Sequence, residues 1–277
     1  MHVKTAGHKL LAVAALAILL VNCNKPEHPE LGNYPKDTNP PGGPLKFYAA
    51  LDGSAVDSVR ANFGVVTDAA FVEGVTGKAA QADATKKGFI SFPSANDFGS
   101  SSSFTISFWM KATLAQKNHT NAAGVLAFGN SKNFWGNATF YAENEASLSD
   151  SMPLKIHFNA ANNADNWSAA GYTGNKRWPK MYDGNWLMVT VTYSAADSMY
   201  IAYRDGAQFD KMKMSPAIKF ENSSQLVVGG FQEAAGVVDN YGNNSWMAAF
   251  GGSVDQVRLY GTTLSASDIT ALYTNKQ

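Results

Sequence analysis

Apolar and polar residues alternate along short segments through most of the chain, and this period of two restricts the fold more than any other feature. In the segment FTISFWMK at 104–111, Phe104, Ile106 and Phe108 share one side of an extended chain. A half-buried strand needs such alternation, whereas a helix needs apolar residues three and four positions apart. The pattern predicts strands at 46–51, 88–92, 104–111, 124–128, 154–158, 186–193, 199–204, 225–228 and 253–260.

A helical pattern occurs only near the C-terminus. Ser265 and Asp268 are spaced as in a capping box, which predicts a helix over 266–273 with Ile269 and Leu272 on one side. Many short strands, turn residues between them and one terminal helix favour two sheets packed face to face. We therefore predict an all-β fold, an antiparallel two-sheet sandwich with a short C-terminal helix, formed by residues 45–277 as one domain.

The N-terminus has the features of an export signal. Lys4 and Lys9 precede an apolar run at 10–21, which is shorter than the roughly 20 residues that span a bilayer. The sequence Leu-Val-Asn-Cys at 20–23 resembles a bacterial lipobox, although Asn22 stands where Gly, Ala or Ser is usual. We predict a signal peptide at 1–22 and a lipid on Cys23, with ordinary secretion as the alternative.

The next segment predicts how the domain is attached. Residues 23–44 are rich in proline and poor in aliphatic side chains, so we expect an extended, solvated tether. The expected location is the bacterial cell envelope, with the lipid in the outer membrane and the domain facing the periplasm or the exterior. The chain has 22 basic and 22 acidic residues, so no overall field would attract a nucleic acid, and we exclude that partner.

Several strand segments together resemble a known family. The stretches at 104–111, 183–193, 199–206 and 252–260, followed by LSASDITALY at 264–273, are similar in order and spacing to the concanavalin A-like lectin/glucanase superfamily. Within it, they are most similar to the laminin G-like jelly rolls of bacterial surface lipoproteins. The resemblance implies a jelly-roll sandwich, with carbohydrate binding as the usual role of the family.

The resemblance also implies a structural calcium ion. Many sandwiches of this superfamily hold Ca²⁺ between an acid near the first strand and an acid on the last, and the corresponding residues are Asp52 and Asp255. Carboxylate oxygens are suitable ligands for this hard cation. The residues alone leave other roles open, because Asp52-Gly53 is also a turn dipeptide and Asp255 could pair with Arg258.

Aromatic residues in long Asn- and Gly-rich connections suggest a saccharide site. Sugar rings present apolar C–H faces that stack on aromatic planes, and hydroxyls that pair with amide and guanidinium groups. Packing of the same rings onto the sandwich is the alternative interpretation. The predicted carbohydrate-binding residues are Trp135, Trp167, Tyr172, Arg177 and Trp178.

Catalytic motifs are nearly absent from the sequence. No G-x-S-x-G or H-E-x-x-H motif occurs, and the nearest pair of carboxylates is Glu143 and Glu145, which we regard as weak candidates. We predict a non-catalytic envelope lipoprotein that binds a polysaccharide or a glycoprotein glycan. A glycoside hydrolase or lyase, and a protein–protein adhesion module, remain the alternatives.

Overall fold

The structure is a computed structural model, and it describes residues 43–117, 120–144, 149–168, 177–238 and 244–276. The predicted signal peptide, Cys23 and nearly all of the tether lie outside these ranges. None of the helices among the described residues combines the length and the hydropathy that a membrane span requires.

Eighteen strands and one α-helix are described, together with short 3-10 turns. The helix α1 spans Ala266–Thr274, and Ser265 caps it because its side chain accepts a hydrogen bond from the backbone N–H of Asp268. The strands are β1 Leu45–Ala49, β2 Val56–Asp57, β3 Asn62–Phe63, β4 Val65–Thr67, β5 Ala69–Glu73, β6 Lys78–Ala82, β7 Phe89–Phe92, β8 Phe104–Lys111, β9 Ala122–Asn130, β10 Ala138–Ala142, β11 Leu154–Ala160, β12 Ala164–Trp167, β13 Leu187–Ser194, β14 Met199–Arg204, β15 Ala207–Lys213, β16 Ser223–Val228, β17 Met247–Ala249 and β18 Ser253–Tyr260.

The strands form two sheets. The first sheet has the order β15-β14-β13-β8-β18-β1-β2-β3, and β6 joins it by pairing with both β18 and β5. The second sheet has the order β12-β11-β10-β9-β16-β7-β4. Neighbouring strands are antiparallel except that β17 pairs in parallel with the start of β9. Consecutive strands thus often lie in different sheets, as the jelly-roll prediction requires.

Phenylalanine side chains fill the space between the sheets. Phe104 of the first sheet lies with its ring centroid 5.6 Å from that of Phe158 in the second, and Phe108 lies 5.2 Å from Phe140. All four side chains are fully buried. Each such ring removes on the order of 150–250 Å² from water, so these contacts dominate the stability of the sandwich.

The outer faces of the two sheets are covered differently. On the first sheet, α1 buries Ile269 against Trp109, Met188 and Tyr203, and Tyr273 stacks on Trp109 at 5.6 Å. On the second sheet, Ala122, Tyr141, Phe231 and Met247 form a separate apolar cluster together with half-buried aromatic rings.

The predicted fold class is confirmed, and so is the terminal helix. All nine predicted strands are present within a few residues of their predicted bounds. Sequence reasoning missed the very short strands β2–β4 and β17, the hairpin strands β5, β6 and β15, and the strands β10 and β12. Two of these missed strands, β10 and β12, carry the side chains of the candidate site.

Candidate functional site

An aromatic surface lies on the outer side of the second sheet. Tyr141 of β10 and Trp167 of β12 project outward because their neighbours in sequence, Phe140 and Asn166, project inward. Phe134 and Trp135 come from the connection between β9 and β10. We call this surface the aromatic face, and its rings are Phe134, Trp135, Tyr141, Trp167, Phe231 and Trp246.

Two layers of rings build the aromatic face. Tyr141 and Phe231 are buried against the sheet, with ring centroids 5.4 Å apart. Trp135 stacks on Tyr141 at 5.5 Å with only 10° between the ring planes. Trp167 meets Trp135 edge to face at 4.9 Å.

The upper layer is partly open to solvent. Trp246 is 38% exposed and lies 5.7 Å from Trp135, and Trp135 and Trp167 are half-buried. A cluster of partly exposed indoles is unusual on the outer surface of a sheet, because burying each ring would stabilise the protein. The described part of the chain therefore offers an amphipathic surface to a ligand.

Gly124 of β9 allows the segment that carries Phe231 to pack closely beneath the aromatic face. A Cβ at residue 124 would lie 2.5 Å from the backbone of residues 230 and 231 and 2.8 Å from the Phe231 ring. The absence of a side chain thus lets the 230–231 segment pack directly on β9. A larger residue would displace Phe231 and, with it, the lower layer of rings.

A polar margin borders the indoles. His157 of β11 pairs across the sheet with Trp167, and its ring centroid lies 4.9 Å from that of Trp167. Its Nε2 lies 3.2 Å from Oδ1 of Asp165, and Nδ2 of Asn133 donates to the same oxygen at 3.0 Å. The Asp165 side chain is 49% exposed, whereas the His157 side chain is fully buried.

The margin combines a neutral imidazole with a charged carboxylate. Burial lowers the pKa of His157 and outweighs the opposing effect of Asp165, so the imidazole is neutral near pH 7. The hydrogen bond from His157 lowers the pKa of Asp165, so this carboxyl group is ionised. The margin therefore carries a net negative charge beside the indoles.

The asparagines near this face have structural partners. Asn163 Oδ1 accepts hydrogen bonds from Nδ2 of Asn130 at 3.0 Å and of Asn222 at 3.1 Å. Asn166 is buried and donates to the carbonyl of Pro216. Sequence reasoning assigned such amides to sugar hydroxyls, but these two join the loops at one end of the second sheet.

The predicted sugar-binding residues separate into three groups. Trp135 and Trp167 meet on the aromatic face. Tyr172 lies outside the described residues. Arg177 is half-buried next to Trp178, which is fully buried in the core between the sheets.

The prediction that Trp178 binds a carbohydrate is wrong, because its side chain is fully buried. Its ring centroid lies 4.4 Å from that of Phe209, and its backbone exchanges hydrogen bonds with Met152 at 2.8 and 3.0 Å. Its Nε1 is buried without a hydrogen-bond partner. Because neither face of the indole is open, we remove Trp178 from the candidate site.

The catalytic candidates do not form a described pair. Glu143 is half-buried, and its Oε2 lies 2.6 Å from Nζ of Lys155. Glu145 lies outside the described residues. Glu143 follows directly after β10, and its salt bridge with Lys155 lies on the outer face of the second sheet.

The calcium candidates contact the same turn. Asp255 Oδ2 accepts a hydrogen bond from the N–H of Val75 at 2.8 Å, and Asp52 Oδ1 accepts one from the N–H of Lys78 at 2.9 Å. The turn between β5 and β6 passes close to both carboxylates. A Cβ at Gly77, where φ is +61°, would lie 2.5 Å from Asp52 Oδ1.

Asp255 has the properties of a cation ligand, and Asp52 fits less well. Burial raises the pKa of Asp255 to about 6, and its Oδ1 is buried without a hydrogen-bond partner. A cation would satisfy that oxygen. Asp52 is exposed, and the described residues contain no group of three His, Cys, Asp or Glu side chains, so backbone carbonyls would supply further ligands.

A cleft of about 1010 Å³ lies elsewhere on the domain, lined by residues of β5 and β6 and by residues 115–117. Lys86 lies 3.5 Å from Asp68 and 3.7 Å from Asp83 at this cleft. None of the described residues that line it is aromatic. The aromatic face is thus the better candidate for a site that binds by stacking.

Comparison with known families assigns the chain to one of them. A model of laminin G-like domains in the concanavalin A-like lectin/glucanases superfamily matches residues 83–270. The chain belongs to this family. The match spans β7 to α1 and contains every described residue of the aromatic face. A comparison of the sequence with curated proteins finds no match.

Solved structures similar to this laminin G-like chain include domains from bacterial enzymes and toxins. Domain 4 of AbnA, a GH43 extracellular arabinanase from Geobacillus stearothermophilus, in complex with arabinotriose, has 18% identity and a TM-score of 0.56, and the alignment covers 83% of this chain and 98% of that one. The binding domain of botulinum neurotoxin serotype D has 13% identity and a TM-score of 0.59, with 84% of this chain and 52% of that one covered. The binding domain of Paraclostridial Mosquitocidal Protein 1 has 15% identity, a TM-score of 0.59 and the same coverages.

These similarities show the fold alone, because each identity is low. The laminin G-like chain spans about half the length of the two toxin binding domains, since 52% of each is covered.

Sequence reasoning missed four rings and the polar margin of this laminin G-like domain. Tyr141 lies on the unpredicted strand β10, and His157 of β11 is not among the predicted site residues. The alternation in LKIHFNA at 154–160 could have indicated that Lys155, His157 and Asn159 share the outer face. Phe231 and Trp246 show no such alternation, because they come from connections, although Trp246 lies in an Asn- and Gly-rich connection of the kind that suggested the site.

Truncating a buried tryptophan should lower the free energy of unfolding more than truncating an exposed one. Trp178→Ala should lower the free energy of unfolding by about 3–5 kcal/mol, because it leaves a cavity between the sheets. Trp246→Ala should lower it by much less, because this ring is 38% exposed. Urea unfolding of both variants measures the difference, and equal losses would contradict the assignment of Trp178 to the core.

Proposed function

We propose that the chain is a non-catalytic carbohydrate-binding lipoprotein of the bacterial cell envelope, whose aromatic face binds a polysaccharide or a glycoprotein glycan. The observation that carries this proposal is the set of partly open indoles, Trp135, Trp167 and Trp246, on the outer side of the second sheet. Membership of the concanavalin A-like superfamily and the arabinotriose bound to the similar arabinanase domain support it.

The geometry suits a sugar ring. An indole supplies a flat apolar surface for the C–H face of a saccharide, and Asp165 supplies a polar group next to Trp167. The lower layer of Tyr141 and Phe231 holds the upper rings before a ligand arrives. Little side-chain entropy is then lost on binding, because the ring contacts already restrict the indoles.

The catalytic candidate Glu143 and the carboxylate Asp165 are too far apart to act together as a hydrolytic pair. The N–H of Glu143 bonds to the carbonyl of Pro153, whereas Asp165 pairs with Asn159, six residues further along β11. At about 3.3 Å per residue, the two acids are separated by about 20 Å. A glycosidase needs its two carboxyl groups within about 5–9.5 Å of each other. Catalysis that uses Glu145 remains the alternative for the enzyme class.

A protein partner is the second candidate function. Trp246 and Phe134 could also pack against an apolar protein surface, since exposed aromatic rings are common in interfaces. A similar solved structure is the binding domain of botulinum neurotoxin DC in complex with rat synaptotagmin II, at 12% identity and a TM-score of 0.58. Competition by free sugar distinguishes this candidate from glycan binding.

Removing an indole should weaken glycan binding without unfolding the protein. Trp135→Ala and Trp167→Ala should each lower affinity on a glycan array by about tenfold, because stacking needs a large planar surface that alanine lacks. Isothermal titration with the best oligosaccharide of the array provides the affinity.

Melting temperatures provide the control for this experiment. A loss of ~1 kcal/mol shifts the Tm of a domain of this size by about 2–4 °C, which separates a binding residue from a core residue. If both variants keep full affinity in their folded fraction, the rings serve packing and the proposal is wrong.

The lipid anchor is a further part of this proposal. It is supported by the apolar run at 10–21 followed directly by the single cysteine of the chain. Cys23→Ala should release the protein from the membrane fraction or leave an unprocessed precursor, as immunoblots of fractionated cells would reveal. Identical processing and fractionation of the variant and the parent would exclude the anchor.

We also propose a structural calcium ion near the β5–β6 turn. Asp255 would be its carboxylate ligand, with Asp52, which accepts a hydrogen bond from Lys78 at the end of the same turn, as a second candidate, and the ion would neutralise a buried negative charge. A ligand that binds only the native state stabilises it by about 2.7 kcal/mol at a hundredfold excess over Kd. Millimolar Ca²⁺ should therefore raise the Tm in calorimetry, and Asp255→Asn should abolish the rise. An unchanged Tm of the parent would remove this site.

A further inference from the structure

Asp165 occupies a defined position beside the indoles of the aromatic face. It lies on the edge strand β12, two residues before Trp167. Residues two apart on a strand project from the same side, with their Cα atoms about 6.6 Å apart. The carboxylate and the Trp167 indole therefore stand next to each other on one surface, close enough for both to meet one saccharide.

Two buried donors fix the orientation of this carboxylate. Oδ1 receives the Nε2 contact of His157 at 3.2 Å and the Nδ2–H of Asn133 at 3.0 Å. Asn133 is itself held, because its Oδ1 accepts the N–H of Trp135 at 2.7 Å. Nδ1 of His157 is buried without a partner, so the Asp165 contact alone favours the tautomer with its proton on Nε2.

The second oxygen of the carboxylate is left for a ligand. Oδ2 of Asp165 accepts no hydrogen bond from any residue in the described ranges, and the side chain is 49% exposed. Since Oδ1 is anchored, Oδ2 is presented in a fixed direction without the entropy cost of ordering a mobile side chain. An ionised carboxylate only accepts hydrogen bonds, and sugar hydroxyls are donors that match it.

Two described lysines on this side of the sheet are paired with acids other than Asp165. Lys155 lies 2.6 Å from Glu143, and Lys219 lies 2.7 Å from Glu221, so each of these lysines already has an acidic partner. The imidazole of His157 is neutral near pH 7, because burial lowers its pKa. Within the described ranges no lysine or arginine forms an ion pair with Asp165, so a carboxylate, sulfate or phosphate group on a ligand would approach its negative charge directly.

On the basis of the glycan binding proposed above, we propose that Asp165 is the hydroxyl-binding group of the aromatic face and that it selects uncharged saccharides over anionic ones. Trp167 takes the apolar face of the sugar, and Oδ2 of Asp165 accepts hydrogen bonds from its hydroxyls. His157 and Asn133 act as positioning residues, since they hold the carboxylate through Oδ1.

The experiment measures selectivity as well as affinity. The purified full chain is titrated with α-1,4-galactotriose and lactose as neutral probes, and with trigalacturonate and 3′-sialyllactose as their anionic counterparts, alongside arabinotriose and a wider array of both kinds. The parent should bind neutral members at least tenfold more tightly than their anionic counterparts. A preference for the anionic members would overturn the proposal without requiring any variant.

Asp165→Asn removes the charge and keeps the shape of the side chain and an oxygen for His157 and Asn133. The variant should lose about tenfold or more in affinity for the best neutral oligosaccharide, because a charge-assisted hydrogen bond is roughly twice as strong as a neutral one. It should also lose most of the discrimination against the anionic counterpart, which a merely structural role would not change.

A matched control variant and the indole variants distinguish failure of the proposed role of Asp165 from failure of glycan binding itself. Asp197→Asn alters a similar exposed aspartate in the turn between β13 and β14, and should change neither affinity nor selectivity. If Asp165→Asn binds as the parent does while Trp167→Ala loses affinity, the role of Asp165 is wrong and glycan binding stands. If neither the parent nor any variant binds a saccharide, both proposals fail.

Discussion

The packing of phenylalanine rings between the two sheets is the interaction on which the candidate site depends. Phe140 and Phe158 point inward from β10 and β11 and lie 6.4 Å apart, and their burial sets the register of both strands. Because side chains alternate, the same register sends Tyr141 and His157 outward. A shift of one residue would exchange the two sets and bury the polar ones. The core and the aromatic face are thus two results of one constraint.

The sequence predicts the strands that obey a simple alternation, and this is why β8, β13 and β18 were found. It fails at β10, whose residues 138–142, ATFYA, are buried on both sides of the sheet. There the outward Tyr141 is as apolar as the inward Phe140, so no period of two is visible. The outer side of β10 supports aromatic rings instead of facing water. For this reason the strand carries no polar residues that would reveal its alternation in the sequence.

Composition cannot separate the tryptophans of a site from those of a core. Trp167 and Trp178 both occur in an Asn-rich stretch, yet Trp167 ends an edge strand and Trp178 enters the space between the sheets. The difference arises from the isolated bridge between Met152 and Trp178, a pairing of residues distant in sequence. The asparagines mislead in the same way, because Asn163 and Asn166 bind other parts of the chain. Only tertiary contacts assign these residues their roles.

Among the described residues, the outer side of the second sheet carries three partly exposed indoles, whereas that of the first sheet carries one, Trp186. On the first sheet, α1 covers Trp109 until only 3% of it is exposed, so this fold has a means of burying an outward indole. On the second sheet, the 3-10 turn at Gln232–Ala235 and β17 support the lower rings, yet Trp246 stays 38% exposed. Selection for stability alone favours burying such a ring, at roughly 25 cal/mol per Å² of apolar surface. Partly exposed indoles that pack on a buried layer of rings, beside a carboxylate held through one oxygen, are what a binding surface requires.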